Sequence, residues 1–79
     1  MNKNLIRAEL AKLLDLPLSA ITDELKISDT GGWDSITCVS LVAFLIGELD
    51  CRIEVPKLMT IQTVGDLWAL VEMETGVMP

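Results

Sequence analysis

The chain contains no histidine. That removes the commonest metal ligand and the usual base for a serine or cysteine nucleophile. Cysteine is scarce as well. Cys38 and Cys51 have no further cysteine at metal-ligand spacing, so no metal site is expected. With no secretory signal ahead of them, two free thiols in a cytoplasmic protein are expected rather than a disulfide. The signal is lacking because Arg7, Glu9 and Lys12 break up any apolar stretch near the N-terminus. Nor does any segment reach the roughly 18 uncharged apolar residues that span a bilayer. The longest, Ile36 to Gly47, is too short, and no membrane insertion is expected. Basic residues are few: 6 Lys and Arg against 12 Asp and Glu give a net charge of −6. Nucleic acid is therefore not expected as a partner, because that affinity comes largely from Lys and Arg neutralising phosphates.

What is present bounds the answer from the other side. Seventy-nine residues allow one domain, 1–79, with a small core and modest stability. A hydrophobic fraction of 51% excludes a disordered tail. The chain holds no repeats and no low-complexity segment, and a monomer is expected.

Met1 to Leu14 reads as an amphipathic helix, with Leu5, Ile6, Leu10, Leu13 and Leu14 on one face. Pro17 is expected to stop it, since the residue before proline is pushed out of the helical region. A long connection follows from Asp15 to Asp34, rich in turn residues. Leu18, Ile21, Leu25 and Ile27 are placed as its anchors, with a helical turn near Ser19 to Leu25. Ser35 to Leu49 reads as the second helix, carrying too many apolar residues for one face. Cys38, Leu41, Val42, Leu45 and Leu49 make one stripe, assigned to the core. Ile36, Val39, Ala43 and Ile46 make another, assigned with Ser40 to partner docking. The alternative is that Ile36, Val39 and Ile46 pack under the long loop. Between Asp50 and Ile61, Pro56 can open a short helix at its first position, with Ile53, Val55, Leu58 and Ile61 as anchors. A strand over Arg52 to Val55 is the local competitor, without a partner strand. Thr63 and Asp66 resemble a capping box in front of a last helix whose apolar face is Val64, Leu67, Trp68 and Val71. Gly76 can end it. The fold class is therefore all-α: an antiparallel four-helix bundle of three main helices and one short one, with a long loop between the first two.

The stretch Gly31-Gly32-Trp33-Asp34-Ser35-Ile36 carries the functional signal. Two glycines allow a tight turn, and Asp34 and Ser35 are both good N-cap residues. A serine there sits where unpaired backbone N–H groups and the positive end of the helix dipole favour a phosphate ester. No catalytic residues are assigned. Ser35 lacks a histidine base, Lys26 or Lys57 cannot be put beside it, and nothing suggests a raised pKa for Asp34. The chain is thus read as a substrate of other enzymes rather than an enzyme.

Gly32-Trp33-Asp34-Ser35-Ile36, followed by Val39, Leu41, Val42 and Leu45, resembles the phosphopantetheine attachment region of acyl and peptidyl carrier proteins. Ile53-Glu54-Val55-Pro56 and Thr63-Val64-Gly65-Asp66-Leu67 resemble the stretch leading into that family's last helix. The resemblance covers roughly Ile21 to Val71. It implies a 4′-phosphopantetheine arm attached covalently to Ser35, with Trp33 and Asp34 as motif neighbours. It also implies acyl or aminoacyl cargo held as a thioester. The implied partners are a phosphopantetheinyl transferase, an activating ligase or adenylation enzyme, and a downstream synthase or transferase. Met1 and the short ends suggest a freestanding carrier. The fatty-acid type carries acidic residues along the exposed face of its second helix. The matching positions here are Ser40, Ile46 and Gly47. That difference points to a natural-product pathway of polyketide or nonribosomal peptide type. The rival expectation is a small helical adaptor that binds through the apolar second-helix face, with Ser35 only a helix cap.

Overall fold

A computed structural model describes residues 2–76. Four helices follow one another: α1 (Asn2–Leu14), α2 (Ser35–Leu49), α3 (Val55–Met59) and α4 (Val64–Thr75). Among the described residues there is no strand; the one extended pairing is an isolated antiparallel bridge between Lys26 and Thr63. The competing strand at Arg52 to Val55 is not formed, and Val55 opens α3 instead.

Each helix ends for a local reason. α1 stops at Leu14, three residues before Pro17, because Asp15 turns into the left-handed region at φ 55°. The Leu16 N–H then reaches back to the Ala11 carbonyl at 3.0 Å, a Schellman-type closure built on aspartate. α2 ends the same way. Asp50, at φ 51°, donates to Ile46 O, and Cys51 donates to Leu45 O. Asp tolerates this backbone better than most side chains. Pro56 lies at the second position of α3, where an N–H would still lack a helical partner. α4 opens on the expected capping box. Asp66 N donates to Thr63 Oγ1 at 3.2 Å, and Thr63 N donates to Asp66 Oδ2 at 3.0 Å. Gly76 closes the helix at φ 73°.

The core lies where the faces of α1, α2 and α4 meet α3 and the loop. Ile6 and Leu10 come from α1, Cys38, Leu41 and Leu45 from α2, and Val64, Leu67, Trp68 and Val71 from α4. Two expected core positions are corrected. Leu5 is 49% exposed, because the buried stripe of α1 is narrow, and Leu13 and Leu14 only flank it. Leu18 is 51% exposed, since it sits in a short 3₁₀ turn, Leu18–Ala20, that rides on the surface. The helical turn placed near Ser19 to Leu25 is confined to those three residues. A second one, Ile27–Asp29, was not foreseen.

Backbone hydrogen bonds to the start of α4 order the long loop. Gly65 N donates to Asp23 O at 2.9 Å, Val64 N to Leu25 O at 3.1 Å, and Ser28 N to Gln62 O at 3.2 Å. The first two N–H groups of a helix have no partner inside it, so the loop's carbonyls complete α4 while α4 straightens the loop. Trp68 Nε1 donates to Asp23 Oδ1 at 2.8 Å, and Arg7 Nε donates to Ile21 O at 2.8 Å. Ile21 and Ile27, both fully buried, pin the same segment from beneath.

Two glycines give opposite expectations. A Cβ on Gly47, on the exposed side of α2, would meet nothing within 4 Å. Gly47→Ala should therefore stabilise by roughly 0.5–1 kcal/mol, raising Tm by roughly 2–8 °C. A Cβ on Gly65 would lie 3.3 Å from the Asp23 carbonyl that its own N–H holds. Gly65→Ala should give no gain, or a loss. Equal rises in thermal melts of the two variants would contradict this account of the loop.

Candidate functional site

The turn before α2 is built from a short, specific sequence. Gly31 adopts φ 77°, a conformation that a side chain would strain. Gly32 packs against the end of α1, where a Cβ would come within 3.2 Å of Leu14 Cδ2. Asp34 N donates to Gly32 O at 3.1 Å, drawing the chain into α2. Trp33 turns inward. It is 9% exposed, and its indole Nε1 donates to Leu58 O at 3.1 Å, joining the turn to α3. Trp33 is thus a buried anchor of the turn.

Asp34 alone is the N-cap of α2. Its backbone is extended (φ −123°, ψ −179°), and its Oδ1 accepts from Thr37 N at 2.8 Å. That bond, with smaller help from the Thr37 hydroxyl, holds the Asp34 carboxyl below its ordinary range, the opposite of what a general base requires. Ser35 is the first residue of α2, exposed, and its hydroxyl makes no hydrogen bond to another described residue. The expectation that Ser35 serves as a cap is therefore corrected: Asp34 takes that place. An extended residue can turn its side-chain oxygen onto the first-turn N–H groups, and here that residue is Asp34. Lys57 forms an ion pair with Glu74 at 3.2 Å.

The two apolar stripes of α2 differ in exposure. Cys38, Leu41 and Leu45 are fully buried, with Val42 and Leu49 packed at their edge. Ile36 is 77% and Val39 55% exposed, and Ser40 and Ala43 are exposed beside them. Ile36 and Val39 therefore do not lie under the loop. Ile46 is half-buried, on the wall of a groove of about 370 Å³ shared with Val42, Arg52, Ile53, Glu54 and Val55. Below the start of α2, Cys38 Sγ lies 3.5 Å from Met59 Sδ. Burial, assisted by the charge of Asp34, pushes the Cys38 thiol up to about 11. Burial likewise raises Cys51, with a smaller contribution from Glu74. Both cysteines are free and buried, and as thiols rather than thiolates they are poor nucleophiles.

Asp34 generates a test by substitution and by pH. Asp34→Ala should lower the melting temperature clearly, while Ser35→Ala, which removes no hydrogen bond to a described residue, should change it little. Asp34 and Asp66 both have carboxyls lowered from 3.8 by the backbone N–H groups they accept from, Thr37 for Asp34 and Thr63 and Gln62 for Asp66. A depressed folded-state pKa adds stability that is complete above the unfolded value and is lost as pH falls through the folded one. Denaturation followed from neutral pH to below 3.8 should show this loss, and less of it in Asp34→Ala. An equal acid loss in that variant would remove Asp34 from the account.

Comparison with known proteins agrees with the geometry. The family model described as "Phosphopantetheine attachment site" matches residues 4–71. An acyl carrier protein of Saccharopolyspora erythraea is 37% identical over 65 residues, spanning 82% of this chain and 68% of that protein. An acyl carrier protein of Thermotoga maritima is 30% identical over 71 residues, spanning 90% and 88%. No solved structure matches the chain with significance. The exposed, unpaired serine at the head of α2 fits a family whose cofactor is 4′-phosphopantetheine, attached covalently. On the family model and both relatives together, the chain belongs to the acyl carrier protein family of phosphopantetheine-binding carriers.

Proposed function

We propose that Ser35 is the residue that a phosphopantetheinyl transferase esterifies. The holo-protein then moves acyl or aminoacyl groups from an activating ligase or adenylation enzyme to a downstream synthase or transferase of a natural-product pathway, of polyketide or nonribosomal peptide type. The observation that carries this reading is the Ser35 hydroxyl, exposed and without a structural duty while Asp34 caps the helix. When attached, the arm supplies a terminal thiol that holds the cargo as a thioester. The chain's own residues do the rest. Asp34 and Trp33 hold the serine at the surface, and α2 keeps it clear of the core. The buried Cys38 and Cys51 stay out of exchange with a thioester, because an un-ionised thiol attacks it slowly. Free thiols also suit a reducing cytoplasm.

Docking follows from the outer face of α2. Ile36, Val39, Ser40 and Ala43, with Ile46 at the groove, offer an apolar surface beside Ser35 that lacks the acidic residues of the fatty-acid type. Partners would meet it by apolar contact more than by charge, and the tethered arm makes delivery a matter of effective concentration.

Purified chain incubated with a broad-specificity transferase and coenzyme A should gain the mass of one phosphopantetheine. Ser35→Ala should gain none while remaining folded. An unmodified wild type, or a modified Ser35→Ala, would contradict the assignment.

A second pair of variants separates docking face from core. Val39→Glu should melt close to wild type yet transfer cargo to its enzyme more slowly. Leu45→Glu places an unpaired charge at a residue with 0% exposure and should unfold so small a domain. Wild-type transfer should change little between low and physiological salt. A steep loss with salt would assign the steering to Asp34, Glu48 and the loop acids instead.

A further inference from the structure

The short helix α3 is held from both sides of Ser35 in sequence. Trp33, two residues before it, donates its indole N–H to Leu58 O, and Cys38, three residues after it, meets Met59 Sδ at 3.5 Å. The Leu58 carbonyl also accepts the Ile61 N–H at 3.4 Å, so the Trp33 indole is a further donor that ties the turn to an end of α3 already closed by its own backbone. The consequence is geometric. Ser35 and Ile36 on α2 and the 44% exposed Met59 at the end of α3 keep a fixed relative placement. An enzyme that reaches the Ser35 hydroxyl meets this compound surface of two elements. Trp33 itself, 9% exposed, offers that enzyme little more than an edge.

We propose that Trp33 is a positioning residue for the modification of Ser35: its indole N–H, held by the Leu58 carbonyl, locks the Gly31–Asp34 turn to α3 so that the hydroxyl and the end of α3 are presented together. This rests on Ser35 being the attachment residue. Without the bond, turn and helix both persist but their relative placement becomes an average over several arrangements. Only a fraction of molecules then matches the transferase, and the apparent affinity falls by that fraction. Once a molecule is bound in the matching arrangement, the hydroxyl and its surroundings are unchanged. The effect therefore falls on KM and not on kcat.

The second indole of the chain supplies the control. Trp68 donates to Asp23 Oδ1, so Trp68→Phe removes one indole hydrogen bond at α4 without touching the turn. Transferase kinetics on the apo-protein, well below its melting temperature, compare wild type, Trp33→Phe and Trp68→Phe. To keep the packing intact, a further chain is joined by chemical ligation at Cys38 with benzothienylalanine at position 33, which keeps the indole's shape and lacks its N–H. In the two position-33 variants KM should rise by about threefold to tenfold, the worth of one ordinary hydrogen bond, with kcat unchanged. Trp68→Phe should leave KM at the wild-type value. A wild-type KM in the benzothienylalanine chain, or the same rise in Trp68→Phe, overturns the positioning role while leaving the Ser35 assignment intact. A wild type that takes no phosphopantetheine, or takes it elsewhere than Ser35, overturns both.

Discussion

The Asp23 carbonyl is where the two halves of the chain meet. It accepts the Gly65 N–H, and the side chain of the same residue accepts the Trp68 indole. The loop between α1 and α2 contains only two single 3₁₀ turns, and a segment that long cannot satisfy its backbone alone. α4 has the complementary shortage, because its first N–H groups have no helical acceptors. Each end solves the other's problem, and the requirement is close approach. Gly65 has no Cβ, and a Cβ there would crowd that same carbonyl at 3.3 Å. With the loop fixed in this way, Ile21 and Ile27 can be buried from a segment that has no amphipathic helix to carry them.

The start of α2 has supports of its own. The chain enters over Gly32, packed on Leu14 of α1, and is tied to α3 through Trp33. Asp34 then finds itself extended, takes the cap, and leaves Ser35 with an exposed hydroxyl that stabilises nothing. The proposed attachment site is therefore a residue the fold does not need, held by residues the fold does need. The same separation runs down α2, where Leu41 and Leu45 are sealed while Ile36 and Val39 face outward at 77% and 55% exposure.

Signals that close within a few residues were legible in the sequence. The limits of α2, the Thr63–Asp66 capping box, the Gly76 terminus and the buried face of α4 each depend on neighbours three or four positions away. The Gly-Trp-Asp-Ser-Ile string could be read in the same way. What escaped was tertiary. Leu5 and Leu18 look like core residues by type, and only the packed chain shows them half-exposed. Asp15 and Asp50 end their helices in a left-handed turn, although glycine is the residue that normally announces one. The indole bonds of Trp33 and Trp68 bridge 25 and 45 positions, and no local pattern predicts such partners. Choosing between Asp34 and Ser35 as the cap needed backbone angles, since both residue types are suited to it.

The central claim is that Ser35 is free of structural duty while its surroundings are fixed. Amide NMR spectra of the unmodified chain and of the chain with phosphopantetheine attached, recorded with a thermal melt of each, test it most directly. The account predicts shift changes confined to Trp33–Val39 and the end of α3 near Met59. The Ile6, Leu45, Leu67 and Val71 amides should stay unmoved, and Tm should be the same within error. Shifts spread through α1 and α4, or a melt displaced by several degrees, would contradict it by showing that the fold depends on what Ser35 carries.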